Sequence, residues 1–401
     1  MSRLDALTKE LCPDGVPFLP LGECVLANLG GGTPSRSRSE YWNGDIPWAS
    51  VGDVTATTLA MTSTRQSITP VGLESSSSNR VPAGWVVVAV KIAPGAMRVV
   101  EREVAINQDL RGLLLTEAVD PYFLTYYFKT LNVVGNGTIV KGITNQALLR
   151  IRVPVPPLEV QHEIVRVLDQ FAQLEAELEA ELEARTRQYD YYLNEMLRFE
   201  ATVRRLPIGD FAVLVRGNGM PKTDFTAMGT PAIHYGQIYT HFGTWATETK
   251  SFVAPATAAR LATVEPGDIV ITNTSENLED VGKAVAWLGD ATAVTGGHAT
   301  VIKHDENPKF LAYYFQTQEF HSAKRKHATG TKVIDVSARG LAKIEVPLPA
   351  RSEQDRLVAI LDDFDALVND LSIGLPAELA ARRKQYEYYR DKLLTFKESP
   401  A

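Results

Sequence analysis

The sequence predicts an α+β fold of two globular units and two long helices that pair as an antiparallel coiled coil, with internal pseudo-twofold symmetry. Three observations lead to this prediction. The 401 residues exceed one ordinary core, a series of segments recurs in the same order in both halves, and each series ends in a long amphipathic stretch. We therefore place a globular unit at 1–155, a helix at 156–200, a second globular unit at 201–347 and a second helix at 348–401.

The two globular units are predicted from repeated segments, because an internal repeat determines the architecture. "DPYFLTYYFKT" (120–130) matches "NPKFLAYYFQT" (307–317) at seven of eleven positions. Each copy opens with Asp or Asn before Pro, which is a helix-start signal. The other matched pairs are "LPLGECVLANLGGGTP" (19–34) with "LPIGDFAVLVRGNGMP" (206–221), "VPAGWVVV" (81–88) with "VEPGDIVI" (264–271), and "GTIVKGITNQALLRIRVPVP" (137–156) with "GTKVIDVSARGLAKIEVPLP" (330–349).

The two long helices are predicted from apolar residues at steps of three and four, which share one seam. In the first helix these are Ile164, Leu168, Phe171, Leu174, Leu178, Leu182, Tyr189, Tyr192, Met196 and Phe199. In the second they are Leu357, Leu361, Phe364, Val368, Leu371, Leu375, Leu379, Tyr386, Tyr389, Leu393 and Phe396. Pro376 is expected to kink or restart the second helix.

One helical block occurs twice. "ARTRQYDYYLNEMLRF" (184–199) and "ARRKQYEYYRDKLLTF" (381–396) are identical at eight of sixteen positions. Tyrosines that leave the seam suit a protein interface, and packing within the chain is the alternative. The candidate partner-docking residues are Tyr191, Tyr192, Tyr388 and Tyr389.

Composition indicates a soluble protein of a reducing compartment. Hydrophobic residues make up 45% and charged residues 22% of the chain, and its two cysteines are too few for a disulfide scaffold. Asp5, Lys9 and Glu10 interrupt the N-terminal stretch where a signal peptide would be apolar. We expect a cytoplasmic protein without a membrane segment. The net charge of −7 does not exclude DNA binding, because the 156–200 segment alone holds eleven acidic and four basic residues.

No catalytic centre is predicted. The sequence lacks a Gly-x-x-x-x-Gly-Lys-Ser/Thr loop and an HExxH pair. "LGGGTP" runs into "SRSRSEYW" instead of a helix, and "DPYF" has a single proline, so neither matches a methyltransferase motif. His298 is interpreted as a core or loop histidine. We expect no catalytic residue, no metal ligand and no bound cofactor in this chain.

Polar and basic loops favour DNA instead. Flexible glycine backbone, hydroxyls and guanidinium groups can meet phosphates or base edges. Corresponding loops of both units carry such side chains, although each could equally be an ordinary solvated loop. The candidate DNA-binding residues are Thr33, Ser35, Arg36, Arg38, Lys141, Thr144, Asn145, Gln146, Lys222, Lys324, Arg325, Lys326 and Lys332.

At these segments the chain resembles the specificity subunits of type I restriction-modification systems. The resemblance rests on "GGTPSRSRSEYWNGDIPWASVGDV" (31–54), "GTKVIDVSARGLAKIEVPLP" (330–349), "EQDRLVAILDDFDAL" (353–367) and "GLPAELAARRKQYEYYRDKLLTF" (374–396), and it spans nearly the whole chain. The "VVVAVKIAPGAMRVV" segment (86–100) departs from it, where relatives often have a glycine-rich turn.

The resemblance implies two target-recognition domains, each reading one half of an asymmetric, interrupted site in double-stranded DNA. It implies that the helices space these domains and dock two modification subunits. S-adenosylmethionine, ATP and Mg²⁺ are then expected on the modification and restriction subunits. It carries over no individual base contacts, since the two halves differ most between their matched segments.

Two other functions remain open on the sequence. A self-contained DNA modification enzyme would need the missing cofactor and catalytic motifs. A coiled-coil adaptor with two folded heads would bind no DNA, and would therefore show no salt-dependent DNA affinity.

Overall fold

The computed structural model describes residues 3–136, 141–369 and 373–400. The chain forms two compact units, of which the first comprises Met1–Glu177 with Ala380–Ala401 and the second Leu178–Leu379. Each unit therefore contains a mixed α/β portion and parts of both long helical stretches. No helix within the described ranges is long and apolar enough to span a bilayer.

The first unit is built on two sheets. Its strands are β1 (Phe18–Pro20), β2 (Val25–Gly30), β3 (Trp42–Ala49), β4 (Ala60–Met61), β5 (Gln66–Ile68), β6 (Arg80–Val81), β7 (Val86–Ala89), β8 (Met97–Val100), β9 (Val104–Ile106), β10 (Leu110–Leu115) and β11 (Arg152–Pro154). Its helices are α1 (Arg3–Leu11), α2 (Val51–Val54), α3 (Pro70–Glu74), α4 (Pro121–Thr130), α5 (Asn145–Leu149) and the start of α6 (Leu158–Met196). One sheet has the order β2-β10-β7-β8-β4, the other β5-β3-β9-β6, and β1 pairs with β11.

The second unit repeats this architecture. Its strands are β12 (Arg205–Pro207), β13 (Val213–Arg216), β14 (Phe225–Thr226), β15 (Thr230–Ile233), β16 (Trp245–Ala246), β17 (Ser251–Val253), β18 (Ala262–Val264), β19 (Ile269–Thr272), β20 (Thr274–Ser275), β21 (Ala284–Trp287), β22 (Ala293–Thr295), β23 (Ala299–Lys303), β24 (Ala328–Thr329), β25 (Ile334–Val336) and β26 (Glu345–Pro347). Its helices are α7 (Ile208–Phe211), α8 (Tyr235–Thr240), α9 (Pro255–Ala258), α10 (Pro308–Tyr314), α11 (Gln318–Arg325), α12 (Ala338–Leu341) and α13 (Arg351–Asn369), and α14 (Leu375–Leu393) follows.

The sheet orders confirm the predicted duplication. The order β13-β23-β19-β21-β16 matches β2-β10-β7-β8-β4 strand for strand, and β14-β17-β15-β22-β18 matches β5-β3-β9-β6 with β14 added at one edge. The central strands β7 and β19 are buried along their whole length. Continuous apolar runs such as "VVVA" and "IVIT" are typical of strands covered on both faces.

The repeated Asx-Pro signals start helices as predicted. Asp120 accepts a hydrogen bond from the Phe123 N–H at 2.8 Å and caps α4, whereas Asn307 caps α10. Proline follows each cap, where its missing N–H costs no helical hydrogen bond. The apolar faces of both helices, which include Phe123 and Phe310, are buried in the cores.

Two side chains tie each globular portion to its long helix. Buried Gln161 of α6 accepts from the Asp120 N–H at 2.8 Å and donates to the Ala118 and Pro156 carbonyls at 2.8 and 2.7 Å. The Tyr126 hydroxyl donates to the Asp169 carboxylate at 2.7 Å. The second unit repeats both contacts. Gln354 accepts a hydrogen bond from the Asn307 N–H and donates one to the Pro349 carbonyl. The Tyr313 hydroxyl donates to the Asp362 carboxylate.

The helical segments pair antiparallel within each unit, as predicted. In the first unit Glu175 meets Arg383 at 2.6 Å, while the earlier Phe171 stacks on the later Tyr389 with ring centroids 5.5 Å apart. In the second unit Tyr189 donates to Asp365 at 3.2 Å, and the Tyr192 ring lies 5.6 Å from Phe364.

The seam differs from the prediction in its phase. Tyr189, Leu193 and Leu197 are buried at steps of four, whereas Tyr192 is 38% exposed. The predicted seam residue Leu174 is also exposed. The core of the second unit covers the face of α6 that carries Leu193, so the globular portion and the partner helix together decide which residues are buried.

The second long stretch is two helices and not one. Helix α13 ends at Asn369 and α14 begins at Leu375, with Pro376 in its first turn. This is the restart that the proline predicts, since proline is favoured at the start of a helix. The predicted seam residue Leu371 lies outside the described residues.

Candidate nucleic-acid interface

The glycine-rich loop of the first unit is held against its sheet. A Cβ atom at Gly31 would lie 2.2 Å from the Asn107 carbonyl oxygen, so only glycine permits this approach. The Trp48 indole donates to the Gly32 carbonyl at 3.2 Å, and the Trp42 indole donates to the Ser35 carbonyl at 3.1 Å. The glycines therefore fix the loop that presents Thr33, Ser35, Arg36 and Arg38.

The arginines of this loop are exposed but differently engaged. The Arg36 guanidinium lies 5.0 Å from the Trp42 ring centroid and its Nη2 is 3.4 Å from the Gln66 amide oxygen. Arg38 forms an ion pair with Glu40 at 2.6 Å, and this hydrogen bond raises the pKa of Arg38. The Arg36 charge is therefore the better placed of the two for a phosphate.

A second predicted segment, 141–146, lies beside residues 90–92, which directly follow β7. Lys91 and Gly142 form an antiparallel bridge, and the Ile143 N–H donates to the Val90 carbonyl at 2.8 Å. Lys141 and Gln146 are exposed at this edge. The preceding 137–140 part of the predicted loop lies outside the described residues.

Two predicted contact residues of this segment have structural hydrogen bonds. Thr144 caps α5 by accepting from the Ala147 N–H at 3.1 Å. The Asn145 side-chain oxygen accepts from the Asn28 amide at 2.8 Å, which joins α5 to strand β2. Thr144 and Asn145 therefore help to hold the exposed residues of this segment in position.

Side chains join these loops into one surface, the first loop face, defined as residues 31–38, 91–95, 107–109 and 141–146. The Thr33 hydroxyl donates to the Gln108 amide oxygen, and the Gln108 amide nitrogen lies 3.3 Å from the Asp109 carboxylate. Asp109 in turn pairs with Lys91 at 3.3 Å. The sequence did not indicate Gln108, Asp109 or Lys91, because only the fold brings them together.

The second unit has a corresponding surface, the second loop face, defined as residues 217–224, 274–275, 296–298 and 325–336. A Cβ atom at Gly217 would lie 2.1 Å from the Gly296 carbonyl oxygen, so the close approach seen in the first unit recurs. Strand β20 pairs with β25 and places Thr274 opposite Asp335. Lys222, Arg325, Lys326 and Lys332 are exposed.

His298 belongs to this face and not to the core. It is exposed, its Nδ1 lies 2.9 Å from the Thr274 hydroxyl, and its ring is 4.7 Å from that of Tyr235. His298 immediately precedes β23, just as Asp109 immediately precedes the equivalent strand β10. From the sequence His298 is interpreted as a core or loop histidine, and the structure places it in a loop. Its equivalence to Asp109 follows from the matching sheet orders and is not visible in the sequence.

Lys324 is a correction to the predicted set. It is 2% exposed, and its ammonium donates to the backbone carbonyls of Glu279, at 2.9 Å, and Val281. Burial lowers the pKa of Lys324 to about 8. A side chain enclosed in this way cannot reach a phosphate, so Lys324 leaves the candidate DNA-binding set. DNA contact by the other candidates stays a prediction.

The four tyrosines predicted for partner docking divide into two pairs. Tyr191 and Tyr388, which occupy equivalent places in the repeat, are 61% and 62% exposed. Tyr192 packs partly against Phe364, and Tyr389 stacks on Phe171. Tyr191 and Tyr388 therefore present the larger free aromatic surfaces.

Comparison with known proteins identifies the family. The model of the type I restriction modification DNA specificity domain matches residues 14–184 and again residues 208–381. The chain is 29% identical over 262 residues to the type I restriction enzyme EcoR124I/EcoR124II specificity subunit of Escherichia coli, covering 63% of this chain and 65% of that relative. It is 30% identical over 240 residues to the type I restriction enzyme EcoprrI specificity subunit of Escherichia coli, covering 54% and 59%. These alignments span less than two thirds of each relative's own length.

Solved structures share the fold. A chain of a type I R-M system has a TM-score of 0.65 at 17% identity, with 95% of this chain and 98% of that chain covered. The HsdS subunit from Thermoanaerobacter tengcongensis has a TM-score of 0.52 at 17% identity, with 96% and 99% covered. With one family match in each half and the same sheet order in both, the chain belongs to the type I restriction modification DNA specificity domain family.

Proposed function

We propose that this chain is the non-catalytic DNA sequence-specificity subunit of a type I restriction-modification enzyme. In this function each globular unit reads one half of a bipartite, asymmetric site in double-stranded DNA. The two loop faces would supply the contacts, and the long helices would dock the modification subunits. Family membership supports the general function, and the loop faces support the division between the two units.

One observation carries the proposal. The Lys91–Asp109 ion pair of the first loop face is replaced, at equivalent places beside the same strands, by the Thr274–His298 hydrogen bond of the second. The backbone framework is thus repeated while the side chains change from a charged pair to a hydroxyl and an imidazole. A repeated scaffold with different polar groups is suited to reading two different base sequences, because base edges are distinguished by their donors and acceptors.

The exposed tyrosines support paired partners. Tyr191 and Tyr388 lie in the duplicated helical block and each keeps more than half of its side chain exposed. Exposed tyrosine supplies a large contact area at low entropic cost, and is enriched at the centres of protein interfaces. We assign one such block to each of two modification subunits. S-adenosylmethionine, ATP and Mg²⁺ belong in this proposal to the modification and restriction subunits, and the complex works in the cytoplasm.

The test is to co-produce the chain with its modification subunit and to sequence the modified bases in the host DNA. We expect methylated adenines in a single bipartite motif with an unspecified spacer, and no methyl transfer by the purified chain alone. Methyl transfer by the chain alone would instead identify a self-contained enzyme. Absence of a motif, together with no salt-dependent DNA binding by the complex, would identify an adaptor.

A further inference from the structure

The loop between β7 and β8 carries an unusual backbone conformation at Ile92. Its φ is +68°, and the Ala93 N–H donates to the Lys91 carbonyl at 2.8 Å, so Ile92 is the centre of a three-residue turn. A turn of this kind with positive φ is rare and strained. Positive φ is especially unfavourable for a β-branched residue, whereas glycine adopts it freely.

The surrounding structure holds this turn in place. The Ile92 N–H donates to the Lys141 carbonyl at 2.7 Å, and Lys91 is fixed by its ion pair with Asp109. The next segment closes with a hydrogen bond from the Gly95 N–H to the Ala89 carbonyl at 2.9 Å. The conformation is therefore imposed from several directions, as is typical of strain kept for a function.

Packing of the core does not explain the isoleucine. Its side chain is 63% exposed, and that of the nearby Val134 is 74% exposed. Both line one open groove of about 700 Å³ together with Lys91, Asp109 and Thr144. Ile92 thus has a strained backbone conformation that glycine would adopt without strain, and it exposes a large apolar side chain to solvent within the first loop face.

The occupant that suits this groove is the major-groove edge of a base pair. The exposed Lys141 supplies a positive charge beside Ile92, whereas the charge of Lys91 is balanced by Asp109. A lysine placed in this way can meet a phosphate. The apolar feature of the major groove is the 5-methyl group of thymine, which apolar side chains contact. In the second unit the position equivalent to Ile92 is Ser275, which lies in strand β20 directly after Thr274 and pairs with Ile334, so the turn with an exposed isoleucine is particular to the first unit.

We propose that Ile92 reads a thymine, through its 5-methyl group, in the half-site bound by the first unit. The strained turn fixes the side chain at the base edge before DNA arrives. This inference rests on the proposed function and adds to it one specificity-determining residue and the base that it recognises.

The first test is Ile92→Gly, with Ile92→Asn as a second variant that also tolerates positive φ but keeps a side chain. Each is co-produced with the modification subunit, and the methylated motif is sequenced. We expect both variants to fold with a melting temperature no lower than that of the unaltered chain, and to accept other bases at one thymine position. Leu26→Ala, which removes an apolar side chain that is 66% exposed on β2, is the control and should leave the motif unchanged.

The second test removes only the methyl group from the DNA. Each thymine of the motif is replaced in turn by deoxyuridine, and the affinity of the complex is measured. For the unaltered complex we expect about a fourfold loss at one position, as one buried methyl group contributes. The Ile92→Gly complex should bind thymine and deoxyuridine at that position equally, since the methyl group then has no partner.

Three results would overturn the inference while leaving the proposed function intact. In the first, the methylated motif is unchanged in both Ile92 variants. In the second, no replacement of thymine by deoxyuridine in that half of the motif weakens binding. In the third, the variants lose affinity for the modification subunit and keep their base preference. The last would make the groove a protein-docking site. A wild-type complex that methylates no defined motif would instead remove the proposed function, and the inference with it.

Discussion

Lysines that are close in sequence have different roles in this chain, according to whether their side chains are buried or exposed. In "AKRKHA" Lys324, Arg325 and Lys326 are adjacent, and the end of helix α11 turns one of them inwards. Lys324 is enclosed with its ammonium on backbone carbonyls, while Arg325 and Lys326 face solvent. An inward lysine of this kind joins two segments of the core, and only the outward residues can contribute to DNA affinity.

This difference predicts distinct salt dependences for two lysine variants. Each phosphate contact contributes about 0.9 to the slope of log K against log salt concentration. We expect Lys326→Ala to reduce the slope by about that amount in a complex bound to its own site. Lys324→Met should leave the slope unchanged and lower the melting temperature, because buried carbonyls lose their donor. Binding titrations across a range of salt concentrations measure this, and equal slopes for the two variants would contradict the assignment.

At the scale of elements, each long helix is joined to a globular portion by a buried glutamine. Gln161 and Gln354 lie near the start of α6 and α13 and satisfy backbone groups ahead of α4 and α10. Backbone groups that are buried away from water need such partners. The glutamines thus set the direction in which each helix leaves its sheet portion.

Gln161→Leu should therefore destabilise the protein strongly. The substitution keeps the side-chain size but leaves the Asp120 N–H and two carbonyls without their partner, and each such loss costs on the order of 1 to 3 kcal/mol. We expect the free energy of unfolding to fall by about 3 kcal/mol, measured by urea denaturation. Gln170→Leu on the exposed side of the same helix is the matched control. A similar fall in the free energy of unfolding for this control would show that the hydrogen bonds of Gln161 are not responsible.

The exposed and packed tyrosines predict opposite phenotypes. Tyr191→Ala and Tyr388→Ala should weaken binding of the modification subunit by about thirtyfold, the effect of a typical interface hot spot, without lowering the melting temperature. Tyr389→Ala should lower the melting temperature instead, because it removes the ring stacked on Phe171. Calorimetric titration and thermal unfolding separate the two effects. Unimpaired partner binding by both Tyr191 and Tyr388 variants would place the interface elsewhere.

The sequence predicts the features of these elements that depend on neighbouring residues, and it does not predict those that depend on tertiary contacts. The Asx-Pro starts of α4 and α10 and the restart at Pro376 were predictable, since caps and prolines act within one turn. The sequence could not predict that Leu193 is buried and Tyr192 exposed, because apolar steps of three and four fit a seam through either residue. Tertiary contacts determine which of the two is buried. Lys91, Gln108 and Asp109 were missed because their hydrogen bonds and ion pair join residues that are distant in sequence or carry no motif.

For the whole molecule, the distribution of charge matters more than its total. The net charge is −7, yet the 156–200 segment holds eleven acidic and four basic residues. The remainder is close to neutral, so exposed cations such as Arg36 and Lys332 can create a local positive surface. An acidic net charge is therefore compatible with the proposed binding of DNA.

The duplicated architecture predicts that recognition is separable. Replacing residues 1–155 by the equivalent segment of another family member should change one half of the methylated motif and preserve the other half. The reason is that the first loop face lies wholly in this segment, and the second loop face lies wholly within 217–336. Sequencing of modified adenines before and after the exchange provides the measurement. Simultaneous change of both halves would show that the two faces do not read DNA independently.

Residues 394–399 pack against the first unit beside Val16, and this has a consequence for synthesis on the ribosome. The Ser399 N–H donates to the Val16 carbonyl and the Val16 N–H to the Lys397 carbonyl, both at 2.9 Å. Leu394 is buried in the core of the first unit, and Phe396 packs against that core. The core of the first unit therefore keeps part of its apolar surface uncovered during synthesis until residues 394–399 have been made. A polypeptide that ends before these residues would leave that surface exposed, and we expect proteases to degrade it. In the proposed function, this would remove fragments that recognise only one half of the DNA site.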